Sequence, residues 1–194
     1  MPRDDVRSTS VAIVGGGPVG LMLGLLLDHY GVKATIFNVE EDARWHPKGN
    51  THNARTMEHY RRLGVSKKLR QVGLPPDHPT DVAYFTRFAG AELARLRMPS
   101  AREAMRRVAD APNTDQVPEP VHRANQMHVE RFLFEQAKSR ANIALRFGWQ
   151  VERVTQQADG VQLTAVRAGA MQNWRAEYLV GCDGGRSLVR KAAG

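Results

Sequence analysis

The amino-acid sequence predicts an α/β fold in which a parallel sheet is joined to a β-meander and to a small inserted lobe. Three observations predict it: a strand–helix–strand pattern over residues 11–37, a proline-rich stretch over residues 75–120, and four β-like runs after residue 140. With 194 residues, 42% of them apolar, the chain is long enough to bury a core of this kind.

The strand–helix–strand pattern begins with Val11–Val14, an apolar run too short for a helix and typical of a buried strand. A leucine-rich helix is predicted over Leu21–Tyr30, and Gly31 is expected to end it. Lys33–Phe37 is predicted to be the second strand. A helical connection of this length makes the two strands parallel, as in a Rossmann-like sheet. The polar residues 1–9 are expected to form a loose arm.

The next segment is predicted to be a loop followed by two helices. The loop contains Trp45, His46 and Pro47. One helix is predicted over Asn53–Leu63, and a shorter one is predicted to start at Ser66.

Residues 75–120 hold most of the prolines and differ in character from the rest of the chain. Val82–Phe88 and Leu93–Met98 are predicted to be strands joined as a hairpin. Ser100 and Glu103 match a capping box, which predicts the start of a short helix. We interpret this stretch as a lobe inserted into the main domain.

The last part of the chain alternates between one helix and several strands. Apolar residues at helical spacing predict a helix over His128–Arg140. The dipeptide Asp159-Gly160 is a strong signal for a hairpin turn between strands. The predicted strands are Ile143–Trp149, Val151–Gln156, Val161–Arg167 and Trp174–Val180.

Composition argues against several classes of protein. The net charge is +8, but the arginines are dispersed without interleaved aromatic residues, so solvated helix faces are favoured over nucleic-acid binding. No apolar run is long enough to span a bilayer. The single cysteine, Cys182, excludes an internal disulfide and favours a cytoplasmic protein. The histidines, His52 and His59 included, lack the spacing of a metal site, so we expect none.

The first chemical motif is Gly15-x-Gly17-x-x-Gly20, between the first predicted strand and helix. The first glycine permits a tight turn, the second lets a pyrophosphate approach the backbone, and the third lets helix and strand pack closely. Pro18 suits the first helical turn, where one N–H has no partner. This context predicts a dinucleotide site with its phosphates at the helix N-terminus.

A ribose hydroxyl in such a site is usually held by an acidic residue at the end of the second strand. Asn38 occupies that place, and Glu40 follows it. Either the amide of Asn38 accepts the hydroxyl's hydrogen bond or Glu40 reaches back, and the sequence leaves both open.

The second motif runs from Gly181 to Arg190, GCDGGRSLVR, directly after a predicted strand. Its small residues let the backbone approach a ligand, while Asp183 and Arg190 bring opposite charges. By itself the motif could also be a strand–turn–helix corner with Ser187 as its cap.

Together the two motifs resemble the class A FAD-dependent aromatic-ring monooxygenases, of the p-hydroxybenzoate and phenol hydroxylase type. The matching segments are residues 11–32, Asn53–Glu58 with Arg61–Gly64, and residues 181–194, the last resembling the family's DG motif. A dehydrogenase that uses only NAD would carry the first motif without the last. This resemblance identifies the chain as the N-terminal part of such an enzyme.

The resemblance implies an FAD-binding role for each matching position. Asn38 stands in place of the usual ribose-binding acid, and Lys48 stands where the family commonly has an arginine near the flavin and phosphates. Asp183 belongs to the motif that the family uses around FAD and the NAD(P)H pyrophosphate. The residues implied in binding FAD are Gly15, Gly17, Pro18, Val19, Gly20, Asn38, Lys48, Arg123, Gln126 and Asp183.

The resemblance also implies the domain organisation and the chemistry. Residues 1–74 with 121–194 would form an FAD-binding domain that lacks the family's later GD motif, and 75–120 a partial substrate-domain lobe. NAD(P)H would reduce the flavin, and oxygen would then give a hydroperoxyflavin that hydroxylates a phenolic or other aromatic substrate. Because the cofactor carries this chemistry, no catalytic side chain is expected in this chain. The chain alone is expected to bind FAD poorly and not to turn over.

Two alternatives remain open at this point. Halogenases and reductases of the same superfamily carry both motifs, although the halogenase segment Trp-x-Trp-x-Ile-Pro is absent. The chain could also be a degenerate nucleotide-binding module without turnover, which Asn38 and Lys48 support.

Overall fold

The computed structural model describes residues 6–43, 48–111 and 118–194. The chain forms two compact units, residues 1–47 with 129–194 as the first and residues 48–128 as the second. The strands are β1 (Arg7–Val14), β2 (Ala34–Asn38), β3 (Thr51–His52), β4 (Val82–Phe85), β5 (Glu92–Leu96), β6 (His122–Arg123), β7 (Ile143–Phe147), β8 (Gln150–Gln157), β9 (Gly160–Arg167) and β10 (Ala170–Gly181). The helices are α1 (Pro18–His29), α2 (Ala54–Arg62), α3 (Ser66–Leu69), α4 (Ala101–Asp110), α5 (Gln126–Lys138) and α6 (Leu188–Ala193).

The first unit contains a six-stranded sheet in the order β7-β2-β1-β10-β9-β8. Strands β7, β2, β1 and β10 run parallel, while β10, β9 and β8 form an antiparallel meander. The predicted α/β fold with a parallel sheet and a β-meander is therefore confirmed. The β-like run after residue 142 joins the parallel sheet as β7, beside β2.

Strand β1 lies between two parallel neighbours, β2 and β10. Its residues Val11–Val14 are all buried, which explains why the run is continuously apolar instead of alternating. The predicted loose arm is wrong for Arg7–Thr9, which pair with Trp174–Ala176 of β10. Pairing uses backbone groups, so polar side chains do not prevent it. Residues 1–5 of that arm lie outside the described residues.

Helix α1 begins at Pro18, three residues before the predicted start at Leu21, because the glycine-rich turn itself supplies the first helical turn. Gly31 follows the helix with a φ of +74°, so the predicted end is confirmed. A Cβ on Gly24 would lie 2.7 Å from Cδ1 of Ile36, so the missing side chain lets the helix lie close to β2.

The meander contributes part of the core of the first unit. The predicted turn at Asp159-Gly160 joins β8 to β9, and Gly160 has a φ of +147°. Leu163 and Trp174 from the meander are buried with Phe37 of β2 in one apolar cluster. The Phe37 and Trp174 rings meet edge-to-face with their centroids 5.1 Å apart.

The second unit begins with two helices close to their predicted positions. The side chain of Asn53 caps α2 by accepting a hydrogen bond from the N–H of Thr56 at 2.9 Å. Near α3, the buried carboxylate of Glu119 accepts hydrogen bonds from the Arg70 guanidinium at 2.8 Å and the Ser66 hydroxyl at 3.0 Å. This cluster fixes α3 to the segment around residue 119.

The sequence did not predict the pairing of β3 with β6. His52 and His122 stand opposite each other in this two-stranded antiparallel sheet. The His122 ring is hydrogen-bonded to the carbonyl oxygen of Val72 at 2.7 Å. Burial lowers the pKa of both histidines below 6.5, so both rings are neutral at pH 7.

The predicted hairpin within residues 75–120 is present as β4 and β5, with strands shorter than predicted. The predicted capping box is confirmed: Ser100 and Glu103 exchange hydrogen bonds at the start of α4. The two compact units divide near residues 48 and 128, whereas the predicted domains divide near 75 and 120. The assignment of residues 75–120 to a substrate-domain lobe stays a prediction.

Two further sequence predictions concern a loop and the absence of a membrane-spanning segment. The loop predicted at Trp45, His46 and Pro47 lies outside the described residues. Across the described ranges, no helix has the length and apolar character needed to cross a membrane.

Candidate functional site

The glycine-rich turn connects the end of β1 to the start of α1. Gly17 is the N-cap of α1 and has extended backbone angles, with φ −76° and ψ −172°. Among the described residues no side chain caps this helix, and its first turn holds no acidic residue. The free N–H groups and the positive end of a twelve-residue helix therefore face an uncapped space suited to an anion.

The three glycines of the motif have different surroundings. Gly15 has a φ of +109°, and a Cβ there would lie 2.3 Å from the carbonyl oxygen of Cys182. A Cβ on Gly20 would lie 1.9 Å from the carbonyl oxygen of Gly15, so the helix start lies directly on the turn. A Cβ on Gly17 would have no heavy atom within 4 Å. The fold thus requires Gly15 and Gly20, whereas it leaves the space at Gly17 open.

Asn38 lies at the end of β2, beside the glycine-rich turn. Its side-chain oxygen accepts a hydrogen bond from the N–H of Gly16 at 3.1 Å. Its side-chain nitrogen donates to the carbonyl oxygen of Glu40 at 3.3 Å. The amide therefore holds the turn in place. A carboxylate at this position could accept the hydrogen bond from Gly16, but it could not donate one to Glu40.

The second motif contacts the first through the backbone. The N–H of Cys182 donates to the carbonyl oxygen of Val14 at 2.6 Å, directly after β1 and β10 end their pairing. Together with the close approach of Gly15 to Cys182, this bond joins the two motifs at the carboxyl ends of adjacent parallel strands. Ligands of open α/β sheets bind at this edge.

The carboxylate of Asp183 is turned toward the start of α6. It accepts hydrogen bonds from the Ser187 hydroxyl at 2.6 Å and from the N–H of Leu188 at 2.7 Å and of Val189 at 3.3 Å. Burial alone would raise the pKa of Asp183, but these hydrogen bonds outweigh it and hold the pKa below its usual value. Asp183 therefore orders the turn and the helix that follows it.

Arg190 and Ser187 of the second motif form hydrogen bonds within the motif, and Cys182 is an unreactive thiol. Arg190 donates from its guanidinium to the carbonyl oxygen of Gly185 at 2.9 Å. Ser187 caps α6, as one interpretation of the sequence held, by accepting from the N–H of Arg190 at 2.9 Å. Burial, and then the charge of Asp183, raise the pKa of the Cys182 thiol, so it stays protonated at neutral pH.

The other three residues that the resemblance assigns to FAD binding lie in the second unit. The carbonyl oxygen of Gly49, next to Lys48, accepts from the N–H of Gln126 at 2.8 Å. Thr51 pairs with Arg123 across β3 and β6. This small sheet brings Lys48, Arg123 and Gln126 into neighbouring segments, a grouping that the sequence did not reveal because two-residue strands leave no periodic signal. Helix α5 starts at Gln126, two residues before the predicted start at His128.

The structure thus divides the predicted binding residues between the two units. Seven of them lie in the first unit, around the two motifs: Gly15, Gly17, Pro18, Val19, Gly20, Asn38 and Asp183. Lys48, Arg123 and Gln126 lie in the second.

Comparison with known proteins assigns this arrangement to a family. The sequence profile described as "FAD binding domain" matches residues 8–194. The FAD-dependent monooxygenase apdD of Emericella nidulans is 32% identical over 99% of this chain and 31% of its own length. A 3-(3-hydroxy-phenyl)propionate/3-hydroxycinnamic acid hydroxylase of a Mycobacterium species is 32% identical over 99% of this chain and 30% of its own length.

Among solved structures, the rebeccamycin biosynthetic enzyme RebC with reduced flavin is similar to this chain with a TM-score of 0.83 and 35% identity. The similarity covers 97% of this chain and 35% of RebC. The chain spans about a third of the length of the relatives that it matches.

Proposed function

This chain belongs to the FAD binding domain family, and we propose that it is the FAD-binding portion of an NAD(P)H-dependent flavoprotein monooxygenase that hydroxylates a phenolic or other aromatic substrate. The observation that carries the proposal is the pair of motifs joined at the carboxyl ends of β1 and β10, with the uncapped start of α1 beside them. The hydroxylase among the relatives supports the aromatic substrate.

The residues of the first motif fit a pyrophosphate. The open space at Gly17 allows a phosphate to approach the backbone, and the N–H groups of Val19 and Gly20 lie in the uncapped first turn beside Pro18. Gly15 allows the chain to turn sharply between β1 and α1, because its φ is +109°. Bound FAD would supply the redox chemistry with NAD(P)H and oxygen.

The remaining residues are assigned roles within their own units. Asn38 holds the turn through Gly16 and stands where a ribose hydroxyl is expected. Asp183 orders the second motif through its bonds to the start of α6 and so positions the backbone against Gly15. Lys48, Arg123 and Gln126 would contact the flavin and phosphates.

Because the chain alone is expected to bind FAD poorly, FAD retention by the purified full-length protein tests the cofactor site. FAD is added, the excess is removed by gel filtration, and the visible flavin absorbance per chain is measured. Gly17→Asn is expected to lose most of the flavin, because its side chain would fill the space left for the pyrophosphate. The fold should remain, since nothing lies within 4 Å of that Cβ and φ is −76°.

Gly31→Asn is the matched control, because it places the same side chain in open space just past the other end of α1. Asparagine tolerates the φ of +74° at that position. Equal flavin retention by Gly17→Asn and the wild type would contradict the assignment of this turn to the pyrophosphate.

A nucleotide-binding module without turnover is the second candidate. The observation that favours it is that both polar atoms of the Asn38 amide are already hydrogen-bonded within the chain. The two functions differ in substrate-stimulated NAD(P)H oxidation by the full-length protein. A flavin-loaded full-length protein that oxidises no NAD(P)H with a panel of phenols would favour the binding module.

A further inference from the structure

We propose that His122 is a positioning residue for the cofactor. Its buried ring fastens β6 to the segment of residues 72–74, and so holds Arg123 and Gln126 in the arrangement that binds FAD. The inference rests on the function proposed above, which assigns those two residues to FAD. His122 itself acts only through them.

Strand β6 is held on one side by β3 and the residues before it. Arg123 pairs with Thr51, and the N–H of Ala124 donates to the carbonyl oxygen of Asn50 at 3.0 Å. The N–H of Gln126 continues this ladder with the bond described above. These bonds use backbone groups alone, so they do not depend on the side chain at residue 122.

The segment of residues 72–74 lies against the other side of β6. The N–H of Leu74 points at the carbonyl oxygen of Arg123 at 3.5 Å. A Cβ on Gly73 would lie 2.5 Å from the same oxygen, and the φ of Gly73 is +126°. The backbone of this segment therefore passes directly beside the backbone of Arg123.

The His122 side chain joins this segment to β6. Its Nε2 lies 2.7 Å from the carbonyl oxygen of Val72, and a carbonyl oxygen only accepts, so the neutral ring carries its proton on Nε2. His122 is 3% exposed, so loss of this bond would leave a buried carbonyl group without its partner. Arg70 makes a similar bond to the carbonyl oxygen of Pro120 at 2.7 Å. His122 thus anchors the end of this stretch that carries Arg123.

The surroundings of His122 oppose a second proton on its ring. Burial is the main cause that lowers the pKa of His122; the hydrogen bond to Val72 raises it, the charge of Arg70 lowers it, and the net pKa is below 6.5. The other titratable or charged groups that pack around the ring are Glu119, which is paired with Arg70, His52 across β3, and Arg107, Arg123 and His78 in the pocket that His122 lines. Uptake of a proton therefore works against the anchored arrangement.

The test is a flavin fluorescence titration of the full-length protein at pH 7.5, which gives the Kd for FAD. His122→Leu removes the donor, and the Kd should rise about tenfold, the change expected when one buried hydrogen bond is lost. His122→Gln should keep a Kd close to that of the wild type, because its amide nitrogen can donate to Val72 in place of Nε2.

Ser100→Ala is the control for a general loss of stability. It removes the cap of α4 in the same unit but none of the bonds to β6. Its Kd for FAD should equal that of the wild type.

The pH dependence of FAD binding separates positioning from packing. Because the anchored ring resists protonation, the Kd of the wild type should rise about three- to tenfold between pH 7.5 and about 5.5. His122→Gln has no proton to take up at this position, so its Kd should change less. His59→Gln is the matched control, since His59 lies on α2 and should leave the pH profile unchanged.

Amide hydrogen exchange reports on β6 without any cofactor. In the FAD-free protein, His122→Leu should speed exchange at Ala124 and Gln126, whose N–H groups bond to the residues before β3. His122→Gln should exchange at the rate of the wild type.

The possible failures are distinguishable. An unchanged Kd in His122→Leu, an equal rise in His122→Gln or Ser100→Ala, or the same pH profile in the wild type and His122→Gln would overturn the role of His122. Faster exchange with an unchanged Kd would mean that His122 anchors β6 without serving the cofactor. A wild-type full-length protein that binds no FAD would overturn the proposed function itself, and the role of His122 with it.

Discussion

Replacing Gly15 by alanine should destabilise the chain before any cofactor is considered. The added Cβ would lie 2.3 Å from the carbonyl oxygen of Cys182 and 2.8 Å from the N atom of Asp183. Both are backbone atoms, so neither can rotate away. The φ of +109° at Gly15 is also a conformation that alanine avoids.

The size of the destabilisation follows from the strained backbone conformation and from the close contacts of the added Cβ. Holding a non-glycine residue in a sparsely populated backbone conformation costs about 1–3 kcal/mol. Forcing packed atoms apart costs about another 1–3 kcal/mol. We therefore expect Gly15→Ala to lower the free energy of unfolding by about 2–6 kcal/mol.

The assay is urea denaturation of the FAD-free chain, followed by far-UV circular dichroism. Gly17→Ala is the control from the same turn, because its Cβ meets nothing within 4 Å at a φ of −76°. It should change stability by less than about 1 kcal/mol. If Gly15→Ala unfolds at the same urea concentration as Gly17→Ala, the close contact between the two motifs does not exist in solution.

Three other substitutions test the hydrogen-bonding and charged groups, each by denaturation. Asp183→Asn should cost about 1–2 kcal/mol at pH 7. Because the folded pKa is lowered, that cost should shrink as pH falls below about 4, and a constant cost would contradict the capping role. Glu119→Gln should cost about 3–5 kcal/mol by leaving the Arg70 guanidinium buried without its counter-charge, and a change near zero would refute the pairing. The wild type should lose stability as pH falls below about 6.5, because the unfolded chain takes up the proton that folded His122 resists, and His122→Gln should reduce this loss.

The elements that could be predicted from the sequence carry their signals locally. The buried run Val11–Val14, the glycine turn and the stop at Gly31 are each signalled by adjacent residues, and each has one physical interpretation. The hairpin turn at Asp159-Gly160 and the capping box at Ser100 likewise depend on a few adjacent residues. Their positions were therefore predictable to within a few residues.

The features that could not be predicted depend on partners distant in sequence. Arg7–Thr9 look like a polar arm until β10 is placed beside them. The direction of the Asp183 carboxylate depends on how the chain turns into α6, since a charge in a motif can face either a ligand or the next helix. The pairing of His52 with His122 was invisible for the same reason.

The neighbour of β1 on one side, β2, follows it closely along the chain, whereas the neighbour on the other side, β10, comes only after all the other strands described here. The entropy lost on closing a loop increases with its length, and distant pairings of this kind form slowly. A ribosome therefore releases the glycine-rich turn long before the strand that completes its surroundings has been made. During that interval the N-terminal strand exposes an unpaired edge, which is a site for aggregation. Capture of the cofactor at this turn accordingly has to wait until residue 182 has been added.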